Sequence, residues 1–384
     1  MKVIVTSGGL FHSLELARQL EKRGCLGRLI TGYPGRKVRE AGLPPGKIVS
    51  LPLGQFLYRG WRTLPSPVRG LADPVFRAAE LFDRQASRRL PGGDLLVGWS
   101  SFSLRTLREA KRRGMKTVLE RGSSHILLQR EILTEEYERL GLRGVLPHPA
   151  LVEKELREYA ETDYIEVPSS FARESFIRQG VSGEKIIQGF RGVDLDQFRQ
   201  IPRDDSVFRV IFAGKVSIRK GVQYLLRAFK ELALPRSELL LIGAVADEIR
   251  PILRRYAGIF RSLGSRPRAE LYRHFSRGNV FVLPSIEEGL AVVQLQAMAC
   301  GLPVICSSHT GGTDIIEEEK EGFIIPIRDV EALKERLLRL YRDPELGREM
   351  GERAKQKVRR GFSWDDYGDR MIGEYRRILG ESGR

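Results

Sequence analysis

Pro284-Ser285-Ile286-Glu287-Glu288-Gly289-Leu290-Ala291-Val292-Val293-Gln294-Leu295-Gln296-Ala297-Met298-Ala299-Cys300-Gly301-Leu302-Pro303-Val304 decides the fold. The apolar run Val280-Phe281-Val282-Leu283 stops at Pro284, an acidic loop turns at Gly289, and a helical stretch runs to Cys300 before Gly301 ends it. Pro303-Val304-Ile305-Cys306 then starts another strand. Strand, helix and strand joined in this way make one unit of a parallel sheet. Backbone N–H groups near Leu290, Ala291 and Val292 have no partner inside such a helix, so the helix mouth is a ready phosphate site. Glu288 and Gln296 are eight positions apart, about 12 Å along the axis if both are helical. That span suits contacts at opposite ends of an extended nucleotide-sugar, although spacing alone also fits a solvated glutamate and a helix glutamine.

Upstream, Phe208-Arg209-Val210-Ile211-Phe212-Ala213-Gly214 is a strand, followed by Lys215 and, five positions on, Lys220-Gly221 at a helix start. Lysines at a strand end and a helix start can converge on one anion, with glycines permitting close backbone approach. Leu239-Leu240-Leu241-Ile242-Gly243 is a further strand. The first half repeats the alternation. Residues 3–6 form a strand before Gly8-Gly9, residues 12–23 a helix, Asp94-Leu95-Leu96-Val97-Gly98 a strand, and residues 103–113 a basic helix. Lys116-Thr117-Val118-Leu119, a helix over 152–162 and Tyr164-Ile165-Glu166-Val167-Pro168 follow. The polar stretch 192–205 reads as a hinge between two α/β units whose strand ends face a common cleft.

The 384 residues are long enough for two domains, with 41% hydrophobic and 30% charged residues, as in ordinary globular chains. No apolar run approaches the roughly 18 residues of a membrane span, and the N-terminus lacks the pattern of a secretory signal. Cys25, Cys300 and Cys306 have no paired spacing, which fits a reducing cytoplasm and offers no zinc site. The net charge of +16 is uneven: residues 1–150 hold 26 lysines and arginines against 13 acidic residues, the remainder 39 against 36. The excess includes Arg59, Arg62, Arg69, Arg77, Arg84, Arg88, Arg89, Arg105, Arg108, Lys111, Arg112, Arg113 and Lys116. Such a face attracts anionic lipid, nucleic acid or a phosphorylated acceptor, or is simply solvated. Nucleic acid is not expected, because no reader motif or aromatic platform interleaves the arginines. Asn279 is the only asparagine, which fits a thermophilic source or a codon bias.

Taken together, the chain resembles glycosyltransferase family 4, retaining enzymes of the GT-B fold with two Rossmann-like domains facing each other across a cleft. The matching stretches are Gly214-Lys215 with Lys220-Gly221, residues 240–243, 260–264 and 284–304, Thr310-Gly311-Gly312 and Gly322-Phe323-Ile324-Ile325. The resemblance implies an acceptor-side domain over 1–192, a donor domain over 206–364, and a C-terminal helix, about 365–384, returning to the first domain.

It also implies roles. Lys215, where the family usually has arginine, and Lys220 would neutralise the donor diphosphate as it leaves. Glu288 would hold hydroxyls of the transferred sugar, and Gln296, replacing the family's second glutamate, the ribose hydroxyls. That replacement reads as a tolerated variant, with an inactive chain as the alternative. Gly8 and Gly9 would let backbone approach the donor, with Gly243, Gly289, Leu290, Ala291 and Val292 around it and Arg266 near the base. His125 would lie near the transferred sugar; the alternative is a satisfied loop histidine. Arg121 contacts an anion or pairs with Glu120 or another carboxylate. Asp194 and Asp196 sit in the hinge and read as turn chemistry rather than a metal pair. His12, His148, His274 and His309 show no ligand spacing, so no metal and no cofactor are expected.

The expected activity moves a sugar from a nucleotide-sugar, a UDP- or GDP-sugar, to a cell-envelope, lipid-linked or polysaccharide acceptor. The expected place is cytoplasmic, with peripheral contact on an anionic inner membrane face left open. A phosphorylase or epimerase on the same fold, and a non-catalytic nucleotide-sugar-binding subunit, are the rival readings.

Overall fold

A computed structural model describes residues 1–381, except 10, 11, 36, 37, 39–41, 64–73, 145 and 204. Arg69 of the basic set, Asp204 of the hinge and the chain end at 382–384 therefore lie outside the described residues.

Each half builds one parallel sheet. The first holds β1 (Val3–Ser7), β2 (Leu26–Thr31), β3 (Ile48–Ser50), β4 (Leu95–Trp99), β5 (Lys116–Glu120), β6 (Tyr164–Val167) and β7 (Ile186–Gln188), in the order β3-β2-β1-β4-β5-β6-β7. The second holds β8 (Phe208–Ala213), β9 (Ser237–Ile242), β10 (Arg261–Gly264), β11 (Val280–Leu283), β12 (Val304–Ser307) and β13 (Gly322–Ile325), in the order β10-β9-β8-β11-β12-β13. Central strands such as β1, β4, β8 and β11 are buried along their whole length, because helices cover both faces of a parallel sheet. Chain direction across the sheet reverses between β1 and β4 and between β8 and β11. At those switch points the loops diverge and leave a crevice at the strands' carboxyl ends. Gly8 follows β1 there, while the Lys215 and Glu288 loops follow β8 and β11.

The halves are joined by more than the hinge. The helix Trp364–Leu379, capped by Ser363, packs on Ser13–Lys22 and adds Tyr367, Met371, Ile372, Tyr375 and Ile378 to a first-domain core. In the other direction, the first-domain helix Ile126–Arg139 sends Leu133 and Tyr137 into the core of the second. A boundary drawn in sequence order misses both exchanges. In the hinge, the Asp194 carboxylate accepts from the backbone N–H groups of Asp196 and Gln197 at 3.1 and 3.0 Å, which is turn chemistry.

Where the chain crosses, Arg191 reaches the buried Glu120 and Glu166 at the ends of β5 and β6, and the Tyr375 hydroxyl donates to Glu166 at 3.1 Å. His12 joins them, its Nε2 3.6 Å from Glu120. His12 lacks any ligand spacing along the chain, yet ligand atoms of His12, Glu120 and Glu166 lie within 4.8 Å of one another. The Arg191 guanidinium already supplies the positive charge between the two carboxylates, so the group reads as a hinge lock rather than a cation site.

Burial, and then the Glu120 charge, raise the Glu166 carboxyl from 4.5 to about 8 despite Arg191. The folded state therefore keeps a proton that the unfolded chain loses above about pH 4.5. Its contribution is full below that pH and is lost as pH rises through about 8. Glu158, raised to about 8 by burial and by Glu155, acts in the same direction. Melting temperature should fall between pH 5 and pH 8, and Glu166→Gln should make that slope shallower. An unchanged slope in the variant contradicts the assignment.

Candidate functional site at the facing strand ends

The Lys220 loop is stitched to the Glu288 loop by backbone. The Ile286 N–H donates to the Arg219 carbonyl at 2.8 Å. Gly221 sits at φ +67°, and a Cβ there would lie 1.8 Å from the Pro284 carbonyl oxygen, so only glycine fits. The result is a Lys220 Nζ–Glu288 Oε1 pair at 2.6 Å, each side chain about 15% exposed (16% and 13%). Lys215 stands on the same loop, exposed. Glu288 lies in the loop before the helix, which begins at Val292, so the 12 Å helical rise from Glu288 to Gln296 does not apply. Gln296 is 8% exposed on that helix.

The helix mouth at Ala291 is formed by tight contact between the domains. Gly289 presses on the Gly122 carbonyl and Pro168, and its own carbonyl accepts from the Ser169 hydroxyl at 2.8 Å. Leu290 and Ala291 are buried, while Val292 is part-exposed. Gly243, at the end of β9, abuts the Gly214 carbonyl, and Arg266 is exposed beyond β10. In the first domain, a Cβ on Gly8 would meet the Phe102 ring at 2.2 Å, so this glycine makes room for the loop after β4. Gly9 is buried and its carbonyl accepts from the Ser7 hydroxyl at 2.7 Å.

His125 is described by its alternative reading. Its Nδ1 accepts from the Leu127 N–H at 3.3 Å as the N-cap of Ile126–Arg139, and its ring packs on Tyr159 and Phe176 at 5.0 and 4.9 Å. Burial, helped by Arg121, lowers its pKa to about 4, so it is neutral at physiological pH. Arg121 pairs with Glu155 and not with Glu120.

Glu287, Gln129, Arg219 and His309, to which the sequence assigned no role, complete the site. Glu287, fully buried, accepts from the Ser123 hydroxyl at 2.6 Å and from the Ser124 hydroxyl at 2.7 Å. Gln129 Nε2 donates to it at 2.8 Å and Arg219 Nε at 3.0 Å. Burial pushes this carboxyl up, but Arg219 and the hydrogen bonds from Gln129, Ser123 and Ser124 outweigh it and hold the group at about 2. His309, after β12, stacks on Phe171 of the first domain at 4.4 Å and accepts the Glu288 N–H on its carbonyl.

Residues 194–357 match the family model described as Glycosyl transferases group 1. That match falls on the second domain and the hinge before it. Over 199 residues the chain is 28% identical to a putative colanic acid biosynthesis glycosyltransferase, WcaL, of Salmonella typhimurium, covering 48% of this chain and 49% of that one. The chain spans about half the length of the relatives it matches. The fold extends further than the group 1 match. Sucrose-phosphate synthase of Thermosynechococcus elongatus superposes over the whole of both chains with a TM-score of 0.75 at 19% identity. HepE of Anabaena, solved in complex with UDP, covers 98% of this chain and 99% of its own, with a TM-score of 0.68 at 14% identity. The architecture is thus GT-B, two Rossmann-like domains, with the group 1 match in the second.

Proposed function

We propose that the chain is a retaining glycosyltransferase that moves a sugar from a UDP- or GDP-sugar to a cell-envelope, lipid-linked or polysaccharide acceptor. The observation that carries this reading is the Lys220–Glu288 pair at the mouth of the helix Val292–Ala299, inside the group 1 domain. Lys220, with Lys215, takes the two phosphates and the charge that grows on them as the glycosidic bond breaks. Glu288, already oriented by Lys220, accepts from hydroxyls of the transferred sugar. The N–H groups of Leu290 and Val292 meet phosphate oxygens, and the Gln296 amide meets the ribose. The ammonium groups supply the cationic charge the departing diphosphate needs, so turnover should persist in EDTA. UDP bound to HepE, and the colanic acid biosynthesis named for WcaL, support donor and acceptor class.

A thermal-shift panel of nucleoside diphosphates and their sugars tests the donor assignment. One base series should raise the melting temperature, and Glu288→Ala should abolish turnover. Turnover unchanged in Glu288→Ala removes Glu288 from the chemistry, whereas a wild type that binds a nucleotide-sugar without turning it over favours the non-catalytic subunit, the reading that Gln296 supports.

On the acceptor side we propose peripheral contact with an anionic bilayer. No helix among the described residues is long and apolar enough to cross a membrane. Yet the helix Leu53–Arg62 exposes Leu53, Phe56 and Leu57 by about half each. The helix packed on it, Val75–Arg88, and the next one, Leu104–Arg112, bring Arg84, Arg88, Arg105, Arg108 and Arg112 around a cavity of about 640 Å³. Exposed apolar side chains and a cluster of arginines on the same helical layer fit an interface with anionic headgroups. Vesicles containing phosphatidylglycerol should bind the protein in a salt-dependent way, and the triple change of Leu53, Phe56 and Leu57 to serine should lower binding at least fivefold. Equal binding to pure phosphatidylcholine vesicles rejects the proposal.

A further inference from the structure

Glu287 and Glu288 are neighbours with opposite outlooks. Glu288 faces Lys220 in the cleft, whereas Glu287 turns into the first domain and is sealed there. The receiving groups are themselves fixed. Arg121 donates to Gln129 Oε1 at 2.9 Å, which leaves the Gln129 NH2 group directed at Glu287. Ser123 Oγ receives from Gln129 at 3.1 Å and from Arg219 at 3.1 Å while donating to Glu287. Arg219 connects the two glutamates, since it donates to Glu287 at 3.0 Å and its Nη2 lies 3.6 Å from Glu288. Two carboxylates thus share two cations, and Arg219 is held mainly by the buried carboxylate.

We propose that Glu287 is the positioning residue of the site: it fastens Ser123 and Ser124 onto the loop that carries Glu288 and, by engaging Arg219, leaves Glu288 to Lys220. This rests on the glycosyltransferase reading for its kinetic consequence, but not for its structural one. Without the Glu287 charge, Arg219 loses its main partner and turns to Glu288, competing with Lys220. The loop after β5 also loses its anchor. The second domain's own hold on a diphosphate is untouched.

Glu287→Gln tests this, with Ser123→Ala/Ser124→Ala as a variant that removes the same contacts from the other domain should the first fold poorly. Amide exchange at 121–129 should accelerate at least tenfold while exchange in β8 and β11 stays at the wild-type rate. With UDP-glucose or GDP-mannose, whichever the wild type turns over, kcat should fall at least tenfold and donor KM move less than threefold. Arg219→Met in the Glu287→Gln background should recover part of the lost kcat. Wild-type exchange at 121–129, an unchanged kcat, or a KM that rises in step with the kcat loss overturns the proposal. Should the wild type turn over neither donor, accelerated exchange confined to 121–129 still upholds the anchor while counting against the function assigned above.

Discussion

Lys220→Met should lower kcat/KM for the nucleotide-sugar by two to three orders of magnitude, as loss of a pre-placed group opposite developing charge does in other enzymes. The reasoning starts from position. Lys220 is 16% exposed and bonded to Glu288 at 2.6 Å, so its ammonium is fixed before the donor arrives. Negative charge builds on the departing diphosphate in the transition state, and a fixed, desolvated cation stabilises that state without reorganising. Lys215 is exposed and freer to move, so Lys215→Met should cost about a tenth as much. Steady-state transfer or donor hydrolysis measures both. A Lys220→Met variant within tenfold of wild type would remove the lysine from the chemistry.

The second large effect is structural. Gly221→Ala places a methyl 1.8 Å from the Pro284 carbonyl at a φ of +67°, so backbone must shift in the two loops that form the site. Strain at a left-handed position costs about 1 kcal/mol and a forced core displacement about 1–3 more. A total near 3 kcal/mol lowers the melting temperature by about 6–12 °C in a domain of this size. Gly258→Ala is the control. It has φ +84° and open space around the new methyl, so it should lose only the strain contribution. Equal losses at both positions would show that the contact with Pro284 is unimportant.

Much of the second domain was legible because its signals are local. A strand run, a glycine, a lysine and a helix start lie within fourteen residues between Phe208 and Gly221, and the Glu288 loop follows the same grammar. The first domain was less so. The strands Leu26–Thr31 and Ile48–Ser50 and the helices Leu53–Arg62, Val75–Arg88 and Ile126–Arg139 found no place in the sequence reading. Ile126–Arg139 had little to announce it, because it serves two cores. Its Ile126 packs in the first domain and its Leu133 and Tyr137 in the second, which blurs a single apolar stripe.

Glu287 was passed over for a related reason. Read locally it is one of two adjacent glutamates, and what distinguishes it is a set of donors that includes Gln129, 158 positions away. Arg219 was likewise masked by the motif lysine beside it. His125 was singled out for its place after a strand. The same place makes it a helix cap, and an aromatic pocket holds the ring.

A crystal structure with UDP or GDP, whichever raises the melting temperature, tests the central claim most directly. The account places the two phosphates within hydrogen-bonding distance of Lys220 and the N–H groups of Leu290 and Val292, with Glu288 open to a sugar beside them. Phosphates bound elsewhere, or a helix mouth still sealed by its own side chains at saturating nucleotide, would contradict it.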